Sequence, residues 1–283
     1  MYNYAYRKDV NAQGVKYMKR NLVKKTIVLL MVTALSISAV ACGKKAENKT
    51  QLQKIKDSGK LVMGTSPDFA PFESKDEKGN VVGMDVMIAN EVAKDLGVKL
   101  EIKEMDFDGL LPALQGKKLD VILSGMTPKP ERKENVDFSN MYYKTDNAFV
   151  VKASEKDKYN TIEDFKGKKI GVQKGSVQED VTTKNVEKAQ LNSLAKTGDT
   201  IMNLKSGKID SVVLEQPVAE AYISKNPDLA IAKPVIKDEV GGYAIAMAKD
   251  SKELQEAINK TLDRLEKDGS LKKFFEEANS EIK

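Results

Sequence analysis

The residues of this chain best suited to chemistry lie in one short stretch, Ser124-Gly125-Met126-Thr127-Pro128-Lys129-Pro130-Glu131-Arg132. It sets a flexible backbone at Gly125, a hydroxyl at Thr127 and a guanidinium at Arg132 close together. A guanidinium presents forked donors that match a carboxylate in two parallel hydrogen bonds. Backbone N–H groups and a hydroxyl beside it would complete a cradle for an anion. The same residues would also make an ordinary surface turn before a charged helix start, so their surroundings decide. Other chemistries are narrowed by what the chain lacks. It has no histidine, the commonest general base and metal ligand, and its single cysteine, Cys42, stands near the N-terminus. No carboxylate pair has a spacing that argues for acid–base work, and no Gly-rich phosphate loop is present. No catalytic residue, metal or cofactor is therefore expected.

The turn follows Val121-Ile122-Leu123, an apolar run that predicts a buried strand. Around it strands and helices alternate. Lys60–Thr65 predicts a strand, Lys78-Gly79-Asn80 a hairpin turn, and Val86–Leu96 a helix capped by Asp85 and ended by Gly97. Val98–Ile102 predicts a second strand and Gly109–Gln115 a short helix. The pattern restarts with strand Lys169–Val172, turn Gln173–Ser176 and a helix from Val177, then strand Ile209–Leu214 ending at Glu215. A long amphipathic helix carries Leu254, Ile258, Thr261, Leu262 and Leu265 on one face. This order predicts an α/β fold of mixed, mostly parallel sheets with flanking helices. In such sheets ligands sit beyond the carboxyl ends of the strands. The turns to watch are 66–72, 106–108, 124–132, 173–178 and 215–216.

The net charge of +5 is concentrated at the start of the chain. Removing the seven basic residues and one acidic residue of 1–41 from totals of 47 and 42 leaves 40 and 41, a net charge of −1. A near-neutral body excludes a nucleic-acid footprint. The basic head and the apolar run Thr26–Val40 predict an export signal over 1–41, with Met18 as a possible start. The run is shorter than the roughly 20 residues a spanning helix needs. Cys42, after Ala39-Val40-Ala41, resembles a bacterial lipobox cysteine, although Ala39 stands where leucine is usual. Residues 42–52 then read as the lipidated cysteine and a polar tether.

Several pieces together resemble solute-binding protein family 3, the polar amino-acid-binding proteins of bacterial ABC importers. They are Gly64-Thr65 with Phe69-Ala70-Pro71-Phe72-Glu73, Gly83-Met84-Asp85, Met105-Asp106-Phe107, and Gly125-Met126-Thr127 with Pro130-Glu131-Arg132. Val136-Asp137-Phe138-Ser139, Gly171-Val172 with Gly175-Ser176, and Gly207-Lys208-Ile209-Asp210 extend the match over about residues 53–280. The resemblance implies a two-lobe, type II periplasmic-binding-protein fold. Lobe 1 would be 53–149 plus 242–283, lobe 2 150–241, and the ligand would sit between them.

By the same resemblance, Arg132 and Thr127 clamp the ligand's carboxylate, joined by the Val177 amide that follows Gly175-Ser176. Glu215 and the Gly125 carbonyl take its ammonium. Phe69 and Phe107 pack its side chain, or else belong to the lobe core. Ser66, Ser124, Gln173 and Ser176 complete the expected site. The motifs look most like arginine or basic amino-acid binders. Ser66 stands where several such members carry Asp, so Asp68, Asp106 or Asp108 would have to supply the negative field, and glutamine or another neutral polar amino acid is the alternative ligand. An enzyme of this fold, dehydratase-like, is a further alternative. The expected partners are a free L-amino acid and a membrane permease with its cytoplasmic ATPase, the protein being a monomer. Its expected place is the outer face of the cytoplasmic membrane, lipid-anchored, or the periplasm where a second membrane exists. Replacing Cys42 tests the anchor: Cys42→Ala should leave export intact and move the protein from the membrane to the soluble fraction on centrifugation.

Overall fold

Thr50 opens the first described helix with a reciprocal cap. Its Oγ1 accepts the Gln53 N–H at 3.3 Å, and its own N–H donates to Gln53 Oε1 at 3.1 Å. Helix α1 (Gln51–Ser58) therefore begins inside the stretch expected to be tether. The computed structural model describes residues 49–237 and 241–282. The expected export signal, Cys42 and the tether up to residue 48 lie outside the described residues, as do residues 238–240 of the expected lobe 2.

The strands in chain order are β1 (Lys60–Thr65), β2 (Ser74–Lys75), β3 (Val81–Val82), β4 (Lys99–Glu104), β5 (Val121–Ile122) and β6 (Val136–Lys144). They continue with β7 (Asn147–Lys152), β8 (Lys169–Gln173), β9 (Gln190–Leu194), β10 (Ser211–Glu215), β11 (Leu229–Ile236) and β12 (Gly242–Ala248). After α1 the helices are α2 (Met84–Leu96), α3 (Phe107–Gln115), α4 (Pro130–Lys133), α5 (Val177–Asn185), α6 (Thr197–Lys205), α7 (Gln216–Lys225), α8 (Lys252–Lys267) and α9 (Ser270–Ser280).

Two five-stranded sheets result, ordered β4-β1-β5-β12-β6 and β11-β7-β10-β8-β9. In the first, β1 pairs in parallel with β4 and β5, while β12 runs antiparallel to β5 and β6. In the second, β8 pairs in parallel with β9 and β10, while β7 runs antiparallel to β10 and β11. Parallel and antiparallel pairings are thus balanced, where the sequence pattern predicts mostly parallel ones. The strands flanking the two crossings (β6, β7, β11, β12) supply the antiparallel half. Because β7 pairs with the second sheet from Asn147, the switch between sheets falls at Thr145–Asp146, before the expected 149/150 boundary. Edge strand β9 escapes the sequence pattern because its five residues, Gln190–Leu194, are exposed or half-buried and show no alternation.

The apolar face of α8 is buried as its periodicity requires, with Leu254, Ile258, Thr261, Leu262 and Leu265 turned inward. In the second sheet Phe149 stacks on Phe165 at 3.9 Å, and Tyr159 stacks on the other side at 4.4 Å.

Helix α2 departs from its predicted start. Its N-cap is Gly83 at φ +126°, and Asp85 lies inside the first turn, buried. The Met84 and Asp85 N–H groups donate to the Pro71 and Phe72 carbonyls, which draws the helix start onto that segment. A Cβ at Gly83 would stand 2.3 Å from the Phe72 carbonyl oxygen. Gly83→Ala should therefore cost roughly 2–4 kcal/mol, from a disfavoured φ and a backbone clash together, read as a lower midpoint in urea unfolding.

Candidate functional site

In each sheet the chemistry gathers where parallel strands end. The first sheet brings Ser66, after β1, beside Ser124, after β5: the Ser66 N–H donates to Ser124 Oγ at 3.0 Å. Gly125 turns the chain at φ +52°, where a Cβ would come 2.9 Å from the Phe69 ring. Phe69 therefore packs on this turn and meets Tyr243 edge-on at 6.4 Å. The Gly125 N–H is not open to an external anion, because it donates to Asp85 Oδ2 at 3.0 Å. The Ala244 N–H donates to the Met126 carbonyl at 3.0 Å, tying the turn to β12.

Arg132 projects from the four-residue helix α4 and is only 5% exposed. Its Nη1 donates to the Thr127 carbonyl at 2.8 Å and its Nη2 to the Gly175 carbonyl at 2.9 Å. The guanidinium carbon lies 5.4 Å from the centre of the Phe107 ring. Among the described residues no ion pair reaches it within 4.0 Å. Burial pulls its pKa down to about 10, against the opposing pull of Asp180, Glu215 and Glu131.

From the second sheet, Gln173 ends β8, buried, and Gly175 follows with its N–H on Glu179 Oε2 at 2.8 Å. The Ser176 hydroxyl donates to the Gln173 carbonyl at 2.6 Å, so Ser176 makes no side-chain cap for α5 and Val177 opens that helix. Glu215 ends β10, 4% exposed, and its charge acts on Arg132 and on the Tyr243 hydroxyl.

All eleven residues expected at the site therefore stand at strand ends or in the loops and helix starts beside them, and one chain of contacts links most of them across the two sheets. Asp68 is the strongest link. Its Oδ2 accepts the Thr197 N–H at the start of α6 at 2.6 Å, and its Oδ1 accepts from Ser66 Oγ at 3.3 Å and Gln173 Nε2 at 3.4 Å. Its backbone carbonyl accepts the Tyr222 hydroxyl at 2.8 Å. Burial raises the Asp68 pKa, and the Thr197 and Ser66 bonds oppose that rise. The ion pairs Lys174–Asp108, at 2.8 Å, and Lys129–Asp180 also join the two sheets. A cavity of about 400 Å³ opens beside Ser66, lined by Asp68, Glu104 and Asp106 with Lys75 and Lys196.

Sequence reasoning missed Glu73, Asp85 and Tyr142, which bond directly to the turn or to each other. Glu73 and Asp85 belong to the resembling motifs, and that was the signal available. Among the described residues no cluster suits a metal ion, and no helix is long and apolar enough to cross a membrane.

Two sheets with the same pattern of two parallel and two antiparallel pairings, meeting at their strand ends around a buried guanidinium, define a two-lobe binding protein. The chain belongs to the bacterial extracellular solute-binding proteins, family 3, whose family model matches residues 61–279. It is 40% identical to the arginine-binding extracellular protein ArtP of Bacillus subtilis over 89% of this chain and 96% of that protein. The amino acid ABC transporter substrate-binding protein AbpA of Streptococcus pneumoniae, solved bound to L-arginine, superposes with a TM-score of 0.79 at 43% identity, over 81% of this chain and 98% of that one. An ancestral arginine-binding protein, solved bound to glutamine, gives 0.71 at 42% identity, over 77% and 97%. The family and these neighbours are binding proteins, not enzymes.

Asp68→Ala removes the acceptor for Thr197 and Gln173 and should favour separation of the two sheets. Small-angle X-ray scattering of the ligand-free variant should show a larger radius of gyration than the parent protein, and an unchanged radius would count against the link.

Proposed function

We propose that this protein is the extracytoplasmic amino-acid-binding component of an ABC importer, which captures a cationic L-amino acid, arginine first, between two lobes. The lobes are residues 53–146 with 242–283, and residues 147–241. The observation that carries the reading is Arg132: a buried guanidinium whose hydrogen bonds go to neutral carbonyls, one from each side of the cleft. A buried charge needs an opposite charge, and a ligand carboxylate supplies it with two forked bonds.

Arg132 takes the α-carboxylate, with Thr127 and the amide end of α5 at Val177 beside it. Glu215 and the Gly125 carbonyl take the ammonium. Phe69 and Phe107 flank the side chain, and Ser66, Ser124, Gln173 and Ser176 hold the surrounding loops. A cationic side chain is favoured by the local excess of acid, since Glu215 and the half-buried Asp68 outnumber one buried guanidinium. The arginine named for ArtP and bound to AbpA supports the same class. Glutamine is the second reading, favoured by the Gln173 amide beside Asp68 and by the glutamine-bound ancestral relative. Delivery to a membrane permease, a lipid anchor on Cys42 and a monomeric state complete the proposal, in keeping with an extracellular family.

Calorimetry with arginine, lysine and glutamine tests the ligand and the clamp. Arginine should bind most tightly, and Arg132→Ala should weaken it by about 2–5 kcal/mol while circular dichroism stays the same. Glu215→Gln should weaken arginine more than its analogue lacking the α-amine. Unchanged affinity in Arg132→Ala would overturn the clamp.

A further inference from the structure

Two carboxyl groups bonded to the Ser124–Gly125 turn have no part in the roles above. Asp85 Oδ2 accepts the Gly125 N–H at 3.0 Å, and its Oδ1 accepts the Tyr142 hydroxyl at 2.8 Å. Glu73 Oε1 accepts the Ser124 hydroxyl at 2.7 Å, and that Ser124 oxygen accepts the Ser66 N–H at 3.0 Å. Both acids are fully buried. The second oxygen of Glu73, Oε2, is buried and meets no donor among the described residues.

The charges around the pair make it worse, not better. Glu73 faces Asp85 and the more distant Asp68, both acids. The phenols facing the pair, Tyr142 from β6 and Tyr243 from β12, are held protonated by burial and by these carboxylates, with Glu215 the strongest charge on Tyr243. The charges that act on Arg132 are Asp180, Glu215 and Glu131, not this pair. Two adjacent carboxylates in a dry site without a cation cannot both stay ionised. Asp85 has a donor on each oxygen, whereas Glu73 has an oxygen with none, so a proton fits on Glu73 and Asp85 can accept it.

We propose that Glu73 and Asp85 share one proton at neutral pH and act together as positioning residues, holding Ser66, Ser124 and Gly125 in the geometry that receives the amino acid. This rests on the amino-acid-binding reading above. Burial and the Asp85 charge push Glu73 well above the usual carboxylate range, and Asp85 rises by burial to about 6, drawn back by Gly125 and Tyr142. The sign follows. A group whose pKa is raised by folding contributes fully below its unfolded value, and the contribution is lost as pH rises through the folded value. Losing the shared proton would leave two charges repelling each other behind the turn, so affinity should fall on the alkaline side.

The test has one reading without ligand and one with it. Infrared spectroscopy of the ligand-free full-length protein at neutral pH should show a protonated-carboxyl carbonyl band, absent from Glu73→Gln. Calorimetry with L-arginine from neutral pH upward should show affinity falling about tenfold in the parent protein as the pair loses its proton, and staying flatter in Glu73→Gln, whose amide stays neutral and still donates to Asp85. Glu73→Ala, which leaves the Ser124 hydroxyl without its acceptor, should bind roughly tenfold more weakly at every pH. Titration of the arginine ammonium affects every variant alike, so the difference between profiles belongs to the pair. No band in the parent protein, or equal pH profiles, would overturn the proposal. A band with no amino acid bound at any pH would instead fault the ligand reading and leave the shared proton supported. The parent protein's band decides by itself should Glu73→Gln not fold.

Discussion

A guanidinium taken out of water and given only carbonyl oxygens is the constraint on which the rest of this molecule depends. Arg132 keeps its proton at neutral pH, because even its lowered pKa of about 10 stands well above 7. Its charge is therefore fixed, and the surroundings must accommodate it. Phe107 covers one face, Thr127 and Gly175 take two donors, and the acids nearby act across longer distances. Because one carbonyl comes from the Arg132 turn itself and the other from the loop after β8, this single side chain couples the approach of the two sheets to the electrostatics of the cleft.

The two sheets solve the same problem in the same way. In each, a strand flanked by two parallel neighbours ends in a loop aimed at the cleft, β1 with β4 and β5, and β8 with β9 and β10. What differs is the chemistry at the ends. The first sheet supplies the guanidinium with the buried acids Glu73 and Asp85, and the second supplies the buried Glu215 and backbone groups around Gly175. Asp68 ties the two together through the start of α6, where a carboxylate is favoured by the orientation of the helix amides.

Much of this was legible in the sequence, and the reasons are specific. Val121-Ile122-Leu123 before Ser124–Arg132, and β8 before Gly175-Ser176, are apolar runs closed by turn formers, so both strand-end loops could be located from residue types. The apolar stripe of α8 likewise shows its buried face directly. Roles that depend on what lies opposite were not legible. Asp85 heads a helix and looks like a cap, yet its carboxylate is spent on Gly125 and Tyr142, 40 and 57 residues away in the chain. Thr127 offers a hydroxyl to a ligand, but its residue type does not show that its carbonyl also accepts from Arg132. Asp68 was one of three acids in turns, and only the packing of α6 against it singles it out. Edge strand β9 has no pattern because it has one neighbour and an exposed side.

The pairing of β6 with β12, which places Lys144 opposite Gly242, has a bearing on the order in which the molecule can assemble during synthesis. The second sheet is drawn from one unbroken stretch, Asn147 to Ile236, and all its partners exist once that stretch has emerged. The first sheet has β12 between β5 and β6, so it cannot be completed until residues 242–248 are made. Domains fold as units while a chain is produced from its N-terminus. Here the half that is begun first is finished last, and the buried acids and Arg132 acquire their full surroundings only once β12 has been made.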